Sequence, residues 1–411
     1  MSERFEVIVI GGGLAGACAA ALLARHAGIE PARVALLAAQ LPGPPGAEAP
    51  PELRVAAISR ASEHVLGAAG AWKRLDTQRM CAYERMRVWH ESAALDGAGS
   101  LCFDAADLGE PNLGYIAEMG ALQRACIESF LESGGVLREA VVDALEFDQG
   151  MARLRASELV LEARLVVGAD GAESLVRESA GLSVRTRDYR QRAIVATVET
   201  VKPHAHTAWQ RFLHTGPLAL LPLFDGRSSI VWSLDESLAR ASLDSEPHEF
   251  EQRLSSASAY VLGEVRLASE RASFPLRSLA ADSYVAPRCA LIGDAAHVIH
   301  PLAGQGANLG LLDAAALCEA VGAAPALRED PGALRLLRRY EQQRRTHNLA
   351  MDAAMHVFQR GFAAARGPAG WLVNQGFAMV DRSGPLKRAF ARQALGTAGE
   401  LPCLARAAHA E

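Results

Sequence analysis

Apolar and polar positions alternate along this chain with changing period. Phe5 to Ile10 is an apolar run bounded by Glu3, Arg4 and Glu6 and by Gly11-Gly12-Gly13, a pattern that predicts a buried parallel strand. Small apolar residues follow to Arg25 and His26, which predicts a helix, and a second apolar run over Arg33 to Ala39 predicts the next strand. Leu159 to Val167 and Cys289 to Ile292 read as further buried strands. Between them, Ala193 to Thr200, Trp209 to Leu213, Leu218 to Phe224 and Ser228 to Leu234 read as strands of one sheet within a mainly β region from about Thr186 to Pro275. A helix is expected from about Ala307 through Leu317, and from Leu334 the pattern is helical again.

Val7 to Ala24 carries no charge for 18 residues, long enough for a membrane span or signal peptide. Gly11, Gly12, Gly13 and Gly16 divide it into strand and helix, and the acidic flank makes no positive leader, so it reads as soluble core. With 411 residues the chain exceeds what one core usually holds, which predicts two domains. The net charge of -5 provides no broad basic field for a phosphate backbone, which excludes nucleic acid. Seven cysteines, scattered and never in a CxxC pair, argue for reduced thiols in a cytosol and against structural zinc.

Gly11-Gly12-Gly13-Leu14-Ala15-Gly16 is a G-x-G-x-x-G between strand and helix. A dinucleotide needs this arrangement: a tight turn, close backbone approach to the pyrophosphate, and a helix N-terminus aimed at the phosphates. The acid that usually closes such a site at the end of the second strand is absent, with Ala38 in its place. Either Gln40 or a backbone group meets the adenosine ribose, or adenosine is held more weakly. Gly168-Ala169-Asp170-Gly171, followed by Ser174 and Arg177, and Gly293-Asp294-Ala295-Ala296-His297 set two further Asp/Gly pairs at the mouths of strands. Ligands bind at such strand ends in open α/β sheets.

These three motifs, in this order, resemble the group A flavin-dependent aromatic monooxygenases. Leu53-Arg54-Val55-Ala56-Ala57-Ile58-Ser59, Leu113-Gly114-Tyr115-Ile116 with Glu118, Leu220-Leu221-Pro222-Leu223-Phe224, Ile230-Val231-Trp232-Ser233 and Asp294 through Leu312 narrow the resemblance. It is closest to the ubiquinone-biosynthesis hydroxylases acting at the C5 or C6 ring position of polyprenyl phenols. Where those enzymes read Val-Glu-Asn, this chain has Ala117-Glu118-Met119.

The resemblance implies an α/β fold: a Rossmann-like FAD-binding domain (1–75, 102–180 and 281–330) interrupted by a mainly β-sheet substrate domain (76–101 and 181–280), with C-terminal helices (331–411). It implies that Gly11, Gly13 and Gly16 take the FAD pyrophosphate and that Asp294, beside Gly293, takes the ribityl hydroxyls. Arg54 would approach the flavin and pyrophosphate, and Asp170 would serve FAD and the reduced nucleotide. Pro301, Gly304, Gln305, Gly306, Ala307 and Asn308 would lie along the isoalloxazine. The catalytic candidates are Pro301, whose carbonyl would meet the substrate hydroxyl, and His300, which would shape the flavin loop.

The implied reaction uses NADH or NADPH as transient reductant and O2 as co-substrate, and passes through a flavin C4a-hydroperoxide to an electron-rich phenol. No second G-x-G-x-x-G exists, so no resident nicotinamide domain is expected. His297 and His300 lack a third ligand, so no metal is expected. Trp209, Phe212, Phe224 and Trp232 either line an aromatic cavity or belong to the core.

The tail carries Arg338, Arg339, Arg344 and Arg345 around Tyr340, then Met355, Val357, Phe358 and Phe362. Beyond them Trp371, Phe377, Lys387, Arg388, Phe390 and Arg392 mix apolar and basic residues, as a packed or an interfacial helix does. Deleting the residues after Gly367 is expected to impair membrane or complex association more than flavin content. The partners this implies are a polyprenylated phenol, other ubiquinone-biosynthesis proteins, a peripheral contact with the inner membrane from a cytoplasmic location, and a homo-oligomer. The rival readings are a hydroxylase of a small soluble aromatic and a flavin-poor structural subunit of a biosynthetic complex.

Overall fold

A computed structural model describes residues 3–43, 49–97, 99–148, 150–299 and 305–364, isolated positions from 376 onward, and 399–406. In its first sheet β1 (Glu3–Ile10) lies between β2 (Val34–Ala38) and β11 (Leu159–Gly168), all parallel. Outside these lie β8 (Val136–Glu139) and β19 (Cys289–Leu291), with β18 (Val285–Ala286) at the edge and β9 (Val142–Phe147) and β10 (Ala152–Ala156) as an antiparallel attachment. All five residues of β2 and the last four of β1 and β11 are buried, as strands covered on both faces must be. The register aligns Leu37, Ile10, Gly168 and Leu291 across four neighbouring strands. The residues that follow these four therefore open on one rim.

Helices α1 (Leu14–His26), α3 (Met119–Glu132) and α7 (Gly306–Gly322) pack together beside this sheet. Continued by α8 (Ala324–Leu327), α7 is long and apolar enough to cross a membrane, but 72% of that window is buried inside the protein, which makes it a core helix. α9 (Leu334–Ala364) runs against α7.

The second sheet follows the order β20 (His297–Val298), β17 (Ala272–Ala281), β12 (Val184–Thr200), β15 (Ser228–Asp235), β14 (Gly216–Pro222), β13 (Thr207–Leu213), β5 (Arg85–His90), β6 (Ser100–Asp104). β16 (Val265–Leu267) pairs with β12. The four runs expected in one sheet are all here. The same region also holds two helices, α5 (Glu236–Asp244) and α6 (Pro247–Ala257). Their low mean apolarity hid them, because each buries only a narrow stripe such as Phe250 and Leu254.

Cross-strand partners share a face, so the register sorts this sheet. Ile194, Trp232, Leu218, Trp209, Leu220 and Ile230 lie on one face and form a core with Phe250 and Leu254 of α6. Ala208, Met86 and Leu221 lie on the other and pack with Val55, Ala57, Leu113 and Ile116. Those last residues belong to or adjoin a small sheet of β3 (Val55–Ser59), β7 (Gly114–Glu118) and β4 (Cys81–Tyr83). α2 (Arg60–Ala68) leaves the end of β3, and α4 (Leu175–Ser179) follows β11.

Candidate functional site

The three motifs meet at the rim where the parallel strands end. Gly11 has φ +115, and a Cβ on it would lie 2.1 Å from the Ala169 carbonyl oxygen, so the first turn is glycine by necessity. A Cβ on Gly16 would lie 2.0 Å from the Gly11 carbonyl, which holds α1 tight against the turn. Gly13 differs: it is exposed, and a Cβ there would meet nothing within 4 Å. Two of the motif's glycines are thus required by packing, and the third keeps an open approach to the start of α1.

No side chain caps that helix end, and no acidic residue stands in its first turn, so its N–H groups and positive dipole end remain available to an anion. Ala38 is fully buried against Gly12, and Gln40, two residues on, is exposed.

Asp170 is half-buried and engaged from within: one carboxylate oxygen accepts from Ser174 Oγ at 2.5 Å, the other from the Val176 N–H at 3.1 Å. Ser174 in turn caps α4 by accepting from the Arg177 N–H. Arg177, buried, donates to the carbonyls of Ala172 at 2.8 Å and Ala295 at 2.9 Å. It ties the Asp-Gly turn to the Gly-Asp turn.

Gly293 has φ +56, and a Cβ on it would lie 3.2 Å from the Ala15 Cβ of α1, as one on Gly310 of α7 would at 3.1 Å. Three small residues let the N-terminal turns of α1 and α7 approach the same strand end. Asp294 is exposed at its surface, whereas its neighbours Gly293, Ala295 and Ala296 are buried. Desolvation raises its carboxyl above the ordinary range, while His297, Arg54 and Arg277 pull the other way. Arg54 is exposed and forms no salt bridge among the described residues. Its carbonyl accepts from the Met119 N–H at 2.9 Å, so the substituted position still supports Arg54 through its backbone.

α7 also begins without a side-chain cap or an early acid. Gln305 and Ala307 are half-buried, and a Cβ on Gly306 would meet nothing within 4 Å. Asn308 is buried, accepting from the Ser59 N–H at 3.0 Å and donating to the Ala57 carbonyl at 2.8 Å. It joins α7 to the small sheet that carries Arg54. His300, Pro301 and Gly304 lie outside the described residues, as do the tail positions Trp371, Arg388 and Phe390.

Sequence reasoning missed two groups. Glu118, buried at the end of β7, accepts from Arg79 Nε at 2.9 Å and Nη2 at 2.7 Å and from the Glu52 N–H at 2.9 Å. Buried Asp313 holds His297, Arg344 and Asn348 around the Gly-Asp turn. Its signal was visible, since Asp313 is the single charge in the apolar run from Ala307 to Cys318, and a buried charge seldom lacks partners. His297 is committed to Asp313, and no group of metal ligands is found among the described residues.

Of the aromatic candidates, Trp232 packs on Phe250 at 5.9 Å and Trp209 on Trp89 at 6.3 Å. Both belong to the face covered by α6, so they are core. Phe212 lies on the other face, and Arg79 stacks over the Phe224 ring at 4.8 Å.

The geometry fits a dinucleotide with a flavin: two open helix N-termini, glycine approaches at Gly13 and Gly306, an acid in the Gly-Asp turn and a cation that attracts it. A family model described as an FAD binding domain matches residues 145–354. The chain is 38% identical to the ubiquinone hydroxylase UbiL of Rhodospirillum rubrum, over 95% of this chain and 90% of that protein. It is 34% identical to the 3-demethoxyubiquinol 3-hydroxylase of Escherichia coli, over 96% and 99%. Among solved structures, the p-nitrophenol 4-monooxygenase PnpA of Pseudomonas putida superposes with a TM-score of 0.74 at 21% identity, covering 96% of this chain and 98% of that one, a likeness of fold. Whole-length identity at this level, together with the three motifs on one rim, shows that the chain belongs to the FAD-dependent aromatic-ring monooxygenases of ubiquinone biosynthesis.

Proposed function

We propose that this enzyme hydroxylates the aromatic ring of a polyprenylated phenol. The carrying observation is the pair of uncapped N-termini, α1 and α7, opening on one rim, with Asp294 in the adjoining Gly-Asp turn and Arg54 close enough to attract its carboxylate. In this reading Gly11, Gly13, Gly16 and the first turn of α1 hold the FAD pyrophosphate. Asp294, carried by Gly293, takes the ribityl hydroxyls. Gln305, Gly306, Ala307 and Asn308 present the α7 dipole to the flavin pyrimidine, where it favours the negative charge of the reduced state. Arg54 adds a cation beside it, and Asp170 shapes the turn at the next strand.

FAD, when bound, supplies the oxygen chemistry, with NAD(P)H as the electron source. The protein's own work is orientation and exclusion of water. The substrate side is the face of the second sheet with Ala208, Met86 and Leu221, turned toward the small sheet that carries Arg54. We assign the flavin body to the parallel sheet and the substrate body to the sheet built from residues 85–104, 184–281 and 297–298. A prenyl chain partitions into bilayers, which supports a peripheral membrane site of action.

The test is purification followed by flavin release and NAD(P)H oxidation with matched prenylated and unprenylated phenols. Faster turnover and one added oxygen on the prenylated ring are expected. Equal turnover of free phenols would transfer the function to small aromatics, and a colourless protein that cannot be reconstituted would remove the enzyme reading.

A further inference from the structure

Asp313 of α7 is fully buried and saturated with donors. Its Oδ2 accepts from His297 Nε2 at 2.5 Å and from the Gly293 N–H at 3.2 Å. Its Oδ1 accepts from Arg344 Nε at 2.8 Å and Asn348 Nδ2 at 3.1 Å, while Arg344 Nη2 donates to Asn348 Oδ1 at 3.0 Å. All four side chains are buried. Burial alone would raise the Asp313 carboxyl, but the charges and hydrogen bonds of His297 and Arg344 overcome it and hold the group well below the carboxylate range.

The contacts converge on one object. Gly293 precedes Asp294 and His297 follows it by three residues, so Asp313 grips both ends of the turn that carries Asp294. α9 reaches the same place at one-turn intervals: Tyr340 OH donates to the Leu291 carbonyl at 2.6 Å, and Arg344 and Asn348 bind Asp313. Residues four apart share a helix face, so a single stripe of α9 braces the strand end, α7 and the turn together. The Tyr284 ring, 5.7 Å from His297 and 6.4 Å from Tyr340, fills the gap.

Stability does not require such a cluster. Well-packed apolar residues commonly replace a buried ion pair without loss, whereas removing one partner is costly. What ions and hydrogen bonds add is a defined orientation. We infer that Asp313, Arg344 and Asn348 are positioning residues that set the Asp294 carboxylate for the cofactor, and that α9 is thereby part of the cofactor site although it carries none of the cofactor-binding motifs. This rests on the assignment of Asp294 to FAD.

The test compares wild type, Asp294→Ala, Asn348→Leu, Arg344→Lys and the double variant Asp313→Leu/Arg344→Met. For each, the FAD-free melting temperature, the FAD dissociation constant by fluorescence titration, and the visible absorption and circular dichroism of the bound flavin are measured. The double variant is expected to melt near wild type yet bind FAD roughly tenfold more weakly, the scale on which outer supports act at other sites, with an altered flavin spectrum. Asn348→Leu should shift in the same direction by less and remain informative if the double variant does not fold. Arg344→Lys should recover part of the effect.

Wild-type affinity and spectrum in the folded variants, even with lower melting temperatures, would make the network purely structural and overturn the inference. A wild type that takes up no FAD, or an Asp294→Ala variant that binds it normally, would instead overturn the assignment beneath it.

Discussion

At the scale of single residues, the glycines divide by what surrounds them. Gly11→Ala and Gly16→Ala each force a Cβ to about 2 Å from a backbone carbonyl, so both should lower the melting temperature of the FAD-free protein. Gly13→Ala meets no protein atom; it should melt as wild type and lose FAD affinity by isothermal titration. An equally unstable Gly13→Ala would refute the division. Asp294 gives a second prediction with a pH sign. Because desolvation raises its carboxyl, folding favours the neutral form. That contribution is present below the unfolded value, about 4, and is lost as pH rises through the folded one. Asp294→Asn should therefore raise the FAD-free melting temperature at pH 7, with a gap that closes near pH 4, while FAD binding weakens. Such a trade of stability for binding is usual at functional sites. A destabilised Asn variant at pH 7 would show that the carboxylate is instead stabilised in the fold.

At the scale of elements, the rim is assembled by ties between turns. Arg177 is the plainest tie, with guanidinium nitrogens on the Ala172 and Ala295 carbonyls. Arg177→Leu leaves two carbonyls without their donor, at about 1–3 kcal/mol for a buried one. Urea titration should report a loss of that size, and no measurable loss would mean the two turns hold themselves. The same scale explains what was legible in the sequence. Strand ends and glycine turns are local signals, so β1, β2, β11 and the rim motifs could be read directly. Which face Trp209 and Trp232 occupy depends on how β12, β13, β14 and β15 pair with one another across the sheet. No local pattern carries that. The Asp313 cluster joins positions 293, 297, 313, 344 and 348, a spread that only tertiary packing brings together, although a lone acid in an apolar helix announced that something was there.

For the whole molecule, the tail returns to the body. Leu395 is buried among Tyr83, Ile116 and Leu223, and its carbonyl accepts from the Ala61 N–H. Further on, the Leu404 N–H donates to Glu319 at 3.0 Å, and the Ala405 carbonyl lies 3.2 Å from His64 Nδ1. Deleting everything after Gly367 therefore strips core contacts as well as any membrane-facing residues, which alters the expectation drawn from sequence. Leu395 alone contributes about 2 kcal/mol of burial. A chain ending at residue 394 should melt lower and retain less FAD, measured by thermal scan and by the ratio of bound flavin to protein. Unchanged values would detach the tail from the cofactor.

The contact of Ala15 with Gly293 and Gly310 works as a ruler. Because a Cβ on either glycine would lie within 3.2 Å of the Ala15 Cβ, the two uncapped helix ends approach as closely as the smallest side chains allow. In the proposed placement, with a pyrophosphate at α1 and the flavin pyrimidine at α7, that spacing sets the length of ribityl chain the site accepts.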